Sequence, residues 1–121
     1  VIDGRSIYWT LKFLYRRYRL PIIITENGMA NNDSITDGEV RDDVRIGFMN
    51  DYLSNVRRAI DDGVKVFGYQ HWSLMDNFEW AEGYEPRFGL IYVDYRTLKR
   101  TPKNSAYYYK KIIETNGEII P

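Results

Sequence analysis

Apolar side chains at the start of the chain recur at helical spacing. Ile7, Leu11, Leu14, Tyr15 and Tyr18 stand three or four residues apart, with Arg16, Arg17 and Arg19 on the other side. This pattern predicts a helix over residues 6–19. Pro21 ends it, because the residue before a proline is pushed away from helical backbone. Ile22-Ile23-Ile24-Thr25 is β-branched without polar alternation, the pattern of a parallel strand buried on both faces. It exits through Glu26-Asn27-Gly28. Residues 29–41, rich in Asn, Asp and Gly, read as a loop. A second helix is predicted over 42–61. Asp42-Asp43 suits its positive N-terminal end, and its buried stripe is Phe48, Met49, Tyr52, Leu53, Val56, Ala59 and Ile60. Gly63 lies where a C-terminal glycine is expected. Residues 64–72 read as a second strand, 73–88 as a long loop, and 88–94 as a strand or half a hairpin. A last helix spans 104–115, with Asn104 as N-cap and Asn116-Gly117 as its stop.

Strands alternating with helices predict an α/β fold with right-handed crossovers and a parallel sheet. Two strands do not make a stable sheet by themselves, so the chain is expected to be incomplete. Its 121 residues are 44% hydrophobic and 28% charged, a globular composition and not a disordered one. Seventeen basic against seventeen acidic residues leave no net charge, which argues against nucleic-acid and membrane-surface partners. Without cysteine there is no disulfide framework or thiolate metal site, and the single His71 argues against a His-based zinc cluster. No residue pattern implies a metal or organic cofactor. The lack of cysteine is compatible with a cytoplasmic location, which is the expectation. Aromatic residues reach 16%, with eleven tyrosines and three tryptophans, enough to ask whether some line a ligand site.

In parallel α/β folds, sites gather at the carboxyl ends of strands. The first strand ends at Glu26. The second ends at Trp72 and leads into a loop carrying Asp76, Phe78, Glu79, Trp80, Glu82, Tyr84 and Glu85. A carboxylate beside tryptophans suits sugar chemistry: carboxylates attack an anomeric carbon or bind hydroxyls, and indoles stack on the C–H faces of a pyranose. Position alone favours plainer roles. Glu26 reads as a cap or loop anchor, Trp72 and Trp80 as core, and His71 as a packed or hydrogen-bonded core histidine. The Arg16–Arg19 cluster reads as a solvated helix face. The Asn31–Asp37 run lacks the glycine and terminal glutamate of a calcium loop.

The strings themselves change that balance. Ile-Ile-Ile-Thr-Glu-Asn-Gly at 22–28 resembles the nucleophile signature of glycoside hydrolase family 1, the β-glucosidase family. Trp72-Ser-Leu-Met-Asp-Asn-Phe-Glu-Trp-Ala-Glu-Gly-Tyr84 resembles its second signature. Arg87-Phe-Gly-Leu, Tyr92-Val-Asp94-Tyr and Lys99-Arg-Thr-Pro-Lys-Asn-Ser105 resemble its closing segment. The resemblance spans essentially the whole chain. It implies a (β/α)8 barrel, with this chain similar to the last quarter of one barrel domain and its strands similar to the seventh and eighth.

It also implies roles. Glu26 would be the nucleophile of a retaining hydrolysis, Trp72 the platform under the sugar, and Glu79 an acceptor for glycone hydroxyls. Trp80 would bind or pack beside those hydroxyls, and Phe88 would close the wall near the primary hydroxyl. The peptide bond after Trp72 would be cis. Relatives acting on 6-phosphorylated sugars resemble a pattern with serine and a nearby lysine in this loop. The carboxylate of Glu79 stands there instead and implies unphosphorylated β-glucosides or β-galactosides.

Retaining hydrolysis needs a second carboxyl about 5–5.5 Å from the first. The family's acid/base lies in an Asn-Glu-Pro motif after the fourth strand, and this sequence contains none. A barrel of this kind takes about 250 residues. The expectation is a β-glycosidase fragment, inactive alone, completed by an N-terminal fragment of the same enzyme. The alternatives are part of a longer single chain, a non-catalytic sugar-binding module, or a self-associating structural fragment.

Overall fold

The computed structural model describes residues 2–121. Along the chain run helix α1 (Arg5–Tyr18), strand β1 (Ile22–Asn27), helix α2 (Asp43–Asp61) and strand β2 (Val66–His71). A hairpin of β3 (Ile91–Val93) and β4 (Arg100–Pro102) follows, then helix α3 (Asn104–Glu114). β1 and β2 pair in parallel, with Ile24 opposite Tyr69 and Asn27 opposite His71. This β1–α2–β2 unit is the crossover predicted from the alternation of elements. β3 and β4 pair antiparallel, Tyr92 opposite Thr101. The segment at 88–94 is thus one arm of a hairpin. Its other arm, Arg-Thr-Pro, is too short and polar to register as an apolar strand.

Local chemistry fixes the helix ends. Arg19 closes α1 in left-handed backbone, its N–H donating to the Tyr15 carbonyl at 2.9 Å. Gly63, at φ 90°, follows α2. Its N–H donates to Ile60 and that of Val64 to Ala59, the pair of bonds that satisfies the last free carbonyls of a helix. The N-cap of α3 is Lys103 and not Asn104. Its first turn is instead satisfied from a distance: Ser105 donates its N–H to Asp42 Oδ1 at 2.9 Å and its hydroxyl to Asp42 Oδ2. Asp42 does precede α2, yet its side chain makes no capping bond there.

The helices cover one face of the β1–β2 sheet. Tyr8, Leu11, Val56, Ala59 and Val64 form one buried cluster, packed on by Ile22, Ile24 and Val66. Phe48, Met49, Leu53, Leu90 and Ile112 form a second, joined by Tyr69 and Tyr109. Tyr18 and Ile60, expected in the buried stripes, lie in the final turns of their helices and are exposed. The other sheet face is bare, with Ile23 and Phe67 exposed on it. β1 is therefore not buried on both faces, because no element packs against its second side.

Candidate active site

The end of β1 splits its last residues between the two faces. Asn27 turns toward the helices, where its Oδ1 accepts a hydrogen bond from the Tyr69 hydroxyl at 2.8 Å. The register slips between Ile24 and Asn27 while β2 advances only from Tyr69 to His71. Thr25 and Glu26 consequently share the position opposite Gln70, and all three are exposed. Glu26 also borders a cleft of about 490 Å³ between α1 and the outer edge of β1, with Leu14, Ile22 and Ile24 in its walls.

β2 alternates in the same sense. Tyr69 packs with the helix-side core, and the His71 ring lies 6.0 Å from that of Tyr109. Trp72, one residue on, falls to the bare side and is 39% exposed. Its N–H donates to the Asn27 carbonyl at 2.9 Å, and the Trp72–Ser73 bond is cis. Ser73 N–H donates to the Phe88 carbonyl at 3.1 Å, so the backbone of Phe88 runs beside the end of β2. Glu26, Trp72 and Phe88 are thereby gathered around the carboxyl ends of the two strands.

Glu79 and Trp80 are held differently. Residues Trp80–Glu82 form a single 3-10 turn, with Glu79 at its start donating its N–H to the Gly83 carbonyl at 2.7 Å. Trp80 takes left-handed backbone, φ 43°, and is 82% exposed. Phe78 packs on Tyr84 and Tyr84 on Tyr95, which brace the turn from below. The structure thus displays Glu79 and Trp80 on a turn of the same loop, while Trp72 and Phe88 sit at its base. Neither Trp72 nor Trp80 is the core residue that position alone suggested.

Beneath these loops lies a group of charges that the sequence reading missed. Arg45, fully buried, donates to Asp33 at 2.8 Å, Asp42 at 2.7 Å and the Arg87 carbonyl at 2.6 Å. Buried Lys103 donates to Asp33 and Asp76, and Arg87 reaches Asp76 at 2.6 Å. Burial pushes the Asp33 carboxyl up, but hydrogen bonds from Arg45 and Lys103 outweigh it and hold the group below the usual carboxylate range. The Asn/Asp-rich composition of the 29–41 loop concealed Asp33 among solvent-facing residues.

Burial, aided by the charge of Arg45, pushes the His71 imidazole down to about 4. Neither ring nitrogen has a hydrogen-bond partner. His71 is therefore a packed, neutral residue and not the hydrogen-bonded one also considered. Among the described residues, no group of three or more carboxylates and imidazoles is arranged to hold a metal ion.

An exposed carboxylate and an exposed indole at neighbouring strand ends are equipped to meet a ligand with hydroxyls on its edge and C–H bonds on its face. Comparison with known proteins points the same way. A 1,4-beta-D-glucan glucohydrolase of Thermotoga neapolitana is 50% identical over 96% of this chain, which covers 27% of that protein. Beta-glucosidase A of Thermotoga maritima is 48% identical over 96% of the chain and 26% of its own length. An aryl-phospho-beta-D-glucosidase of Bacillus subtilis is 43% identical over 97% of the chain and 26% of its length. The chain thus spans about a quarter of the length of the curated relatives it matches.

A solved family 1 β-glucosidase from Thermotoga maritima superposes with a TM-score of 0.94 at 45% identity, covering 96% of this chain and 27% of that one. The β1–α2–β2 unit and its flanking helices have the architecture of a portion of a (β/α)8 barrel. The family model described as Glycosyl hydrolase family 1 matches residues 1–118, and with that match across both strand ends and the loop between Trp72 and Phe88, the chain belongs to glycosyl hydrolase family 1.

Proposed function

We propose that this chain supplies the nucleophile and the sugar-binding loop of a retaining β-glycosidase, as one part of a single barrel domain. The observation that supports this most directly is the placement of Glu26. It is an exposed carboxylate at the end of β1, one residue from the Asn27 carbonyl that binds the Trp72 N–H. Glu26 attacks the anomeric carbon, and the C–O bond to the leaving group breaks as its oxygen takes a proton from an acid. Water then cleaves the glycosyl ester with net retention. Trp72 lies under the sugar ring, Glu79 accepts from its hydroxyls, and Trp80 and Phe88 flank it.

The acid must be a second carboxyl about 5–5.5 Å from Glu26, contributed from outside this chain. The partner is the remainder of the same barrel, for which the bare sheet face with Ile23 and Phe67, and the cleft along the outer edge of β1, are suited docking surfaces. Kinship does not decide the charge of the substrate, since one similar relative is named for a phosphorylated glucoside. Glu79 supports the neutral reading: a negative charge beside the sugar disfavours a 6-phosphate and favours neutral β-glucosides or β-galactosides.

The test is hydrolysis of an aryl β-glucoside, and of its 6-phosphate, by the chain assembled with the rest of a family 1 barrel. Turnover of the neutral glycoside that disappears in Glu26→Gln supports the reading. Wild-type rates in that variant remove Glu26 from the mechanism, and preference for the phosphate removes the role given to Glu79. A sugar-binding module without catalysis, the second reading, rests on the exposure of Trp72 and Trp80. It predicts a tryptophan fluorescence change with glucose and no turnover in any assembly.

A further inference from the structure

Lys103 is fully buried at the start of α3. Its Nζ donates to Asp33 Oδ2 at 2.5 Å and to Asp76 Oδ1 at 2.8 Å. Asp33 belongs to the loop that leaves β1 after Glu26, and Asp76 to the loop that leaves β2 after Trp72. One ammonium group therefore spans the two loops. Each carboxylate in turn orders its own loop. Asp33 accepts from the Asn31 side chain at 2.8 Å. Asp76 accepts from the Gly89 N–H at 2.9 Å, beside Phe88, and from Arg87. The loops also touch through reciprocal backbone bonds between Asn31 and Arg87. Around Lys103 the charges balance: Asp33, Asp42 and Asp76 against Arg45, Arg87 and Lys103 itself.

A hydrophobic side chain would fill this space without desolvating six charges. What the ions add is direction, since each loop is held at a fixed point on the other. We propose that Lys103 is a positioning residue. By neutralising Asp33 and Asp76 together, it sets the spacing between the loop that follows Glu26 and the loop that carries Trp72, Glu79, Trp80 and Phe88. Its catalytic consequence rests on the reading under Proposed function, while the coupling of the loops does not.

Two variants test this. Lys103→Met leaves three carboxylates against two cations, and Lys103→Met/Asp33→Asn restores the balance. In the assembled enzyme, at a temperature where circular dichroism shows each variant folded, Lys103→Met is expected to lower kcat/KM by about 10–100-fold, the scale of a misplacement near 1 Å. The double variant is expected to regain most of that loss. A role confined to stability would lower the melting temperature and leave the rate of the folded enzyme intact, which overturns the proposal.

Amide exchange in the assembled enzyme reads the coupling independently of activity. Lys103→Met should speed exchange at both Asn31 and Gly89 by about 10-fold or more, with Ile24 and Tyr69 unchanged. Unchanged exchange, or loosening of one loop alone, contradicts the coupling. An assembly in which the wild-type chain hydrolyses nothing refutes the glycosidase reading alone, and the exchange result still decides the clamp. If Lys103→Met does not fold, Asp33→Asn is read instead. Faster exchange at both Asn31 and Gly89 supports the clamp, and faster exchange at Asn31 alone, or at neither, overturns it.

Discussion

A β-carbon placed on Gly28 would lie 1.8 Å from the carbonyl oxygen of Trp72 and 2.8 Å from its carbonyl carbon. The chain leaving β1 passes backbone against backbone over the residue that follows β2, closer than any side chain permits. Gly28→Ala must push the two strand ends apart. The expected loss is about 1–3 kcal/mol of stability, read as a lower midpoint in denaturant, together with loss of hydrolysis in the assembled protein. An unchanged midpoint would mean that the two backbones do not meet this closely.

Trp80 should behave in the opposite way. At 82% exposure its side chain contributes little packing, so Trp80→Ala should change stability by less than about 0.5 kcal/mol. If the ring meets the sugar, the same change raises KM for an aryl β-glucoside. A stability loss of several kcal/mol would mark it as a packing residue instead.

Arg45 tests the buried charges. It holds Asp33 and Asp42 at 2.8 and 2.7 Å with all three side chains fully buried. Removing one member of such a pair leaves an uncompensated charge, and Arg45→Met should cost about 3–5 kcal/mol in denaturant unfolding. Part of this passes through Asp42 to Ser105 at the start of α3. Lys110, which meets Glu114 at 3.6 Å on the surface, should give no measurable change when replaced by alanine.

His71 makes stability depend on pH. The folded imidazole titrates at about 4, against an ordinary value of 6.5. The unfolded chain therefore binds a proton across that interval and the folded chain does not. The stabilisation is full above about pH 6.5 and is lost as pH falls toward 4, by an amount on the order of 3 kcal/mol. Asp33, held below its ordinary 3.8, loses its own contribution only at lower pH, so the two effects occupy different windows. Denaturant midpoints at pH 7 and pH 5 should differ in the wild type and converge in His71→Gln. Equal slopes in both proteins would contradict this origin.

The legible part of the fold was what repeats or punctuates. The stripe at Leu11 and Val56, the Ile22–Ile24 run, Pro21 and Gly63 each act within a few residues of themselves, and the elements they predict are present. What stayed hidden was long-range. Lys103 and Asp33 are 70 positions apart and buried together, and nothing in either neighbourhood announces a partner. The cap of α3 failed for the same reason, since Asp42 reaches it from 63 positions away. At the site, the strings around Glu26 and Trp72 carried the reading. Position alone would have buried both tryptophans: a hydrophobic run cannot tell that the sheet face under Trp72 is left bare, and the loop around Trp80 has no period that would show its ring on an exposed 3-10 turn.

The most direct measurement is covalent trapping of the nucleophile. A 2-deoxy-2-fluoro β-glucoside with a good leaving group forms a slowly hydrolysed glycosyl ester with the attacking carboxylate. Incubated with the assembled enzyme, digested and sequenced by mass spectrometry, it should leave one fluoroglucosyl group on the peptide containing Glu26, and none in Glu26→Gln. An adduct on another carboxylate, such as Glu79, or no adduct in an assembly that turns over aryl β-glucosides, would contradict the assignment of Glu26.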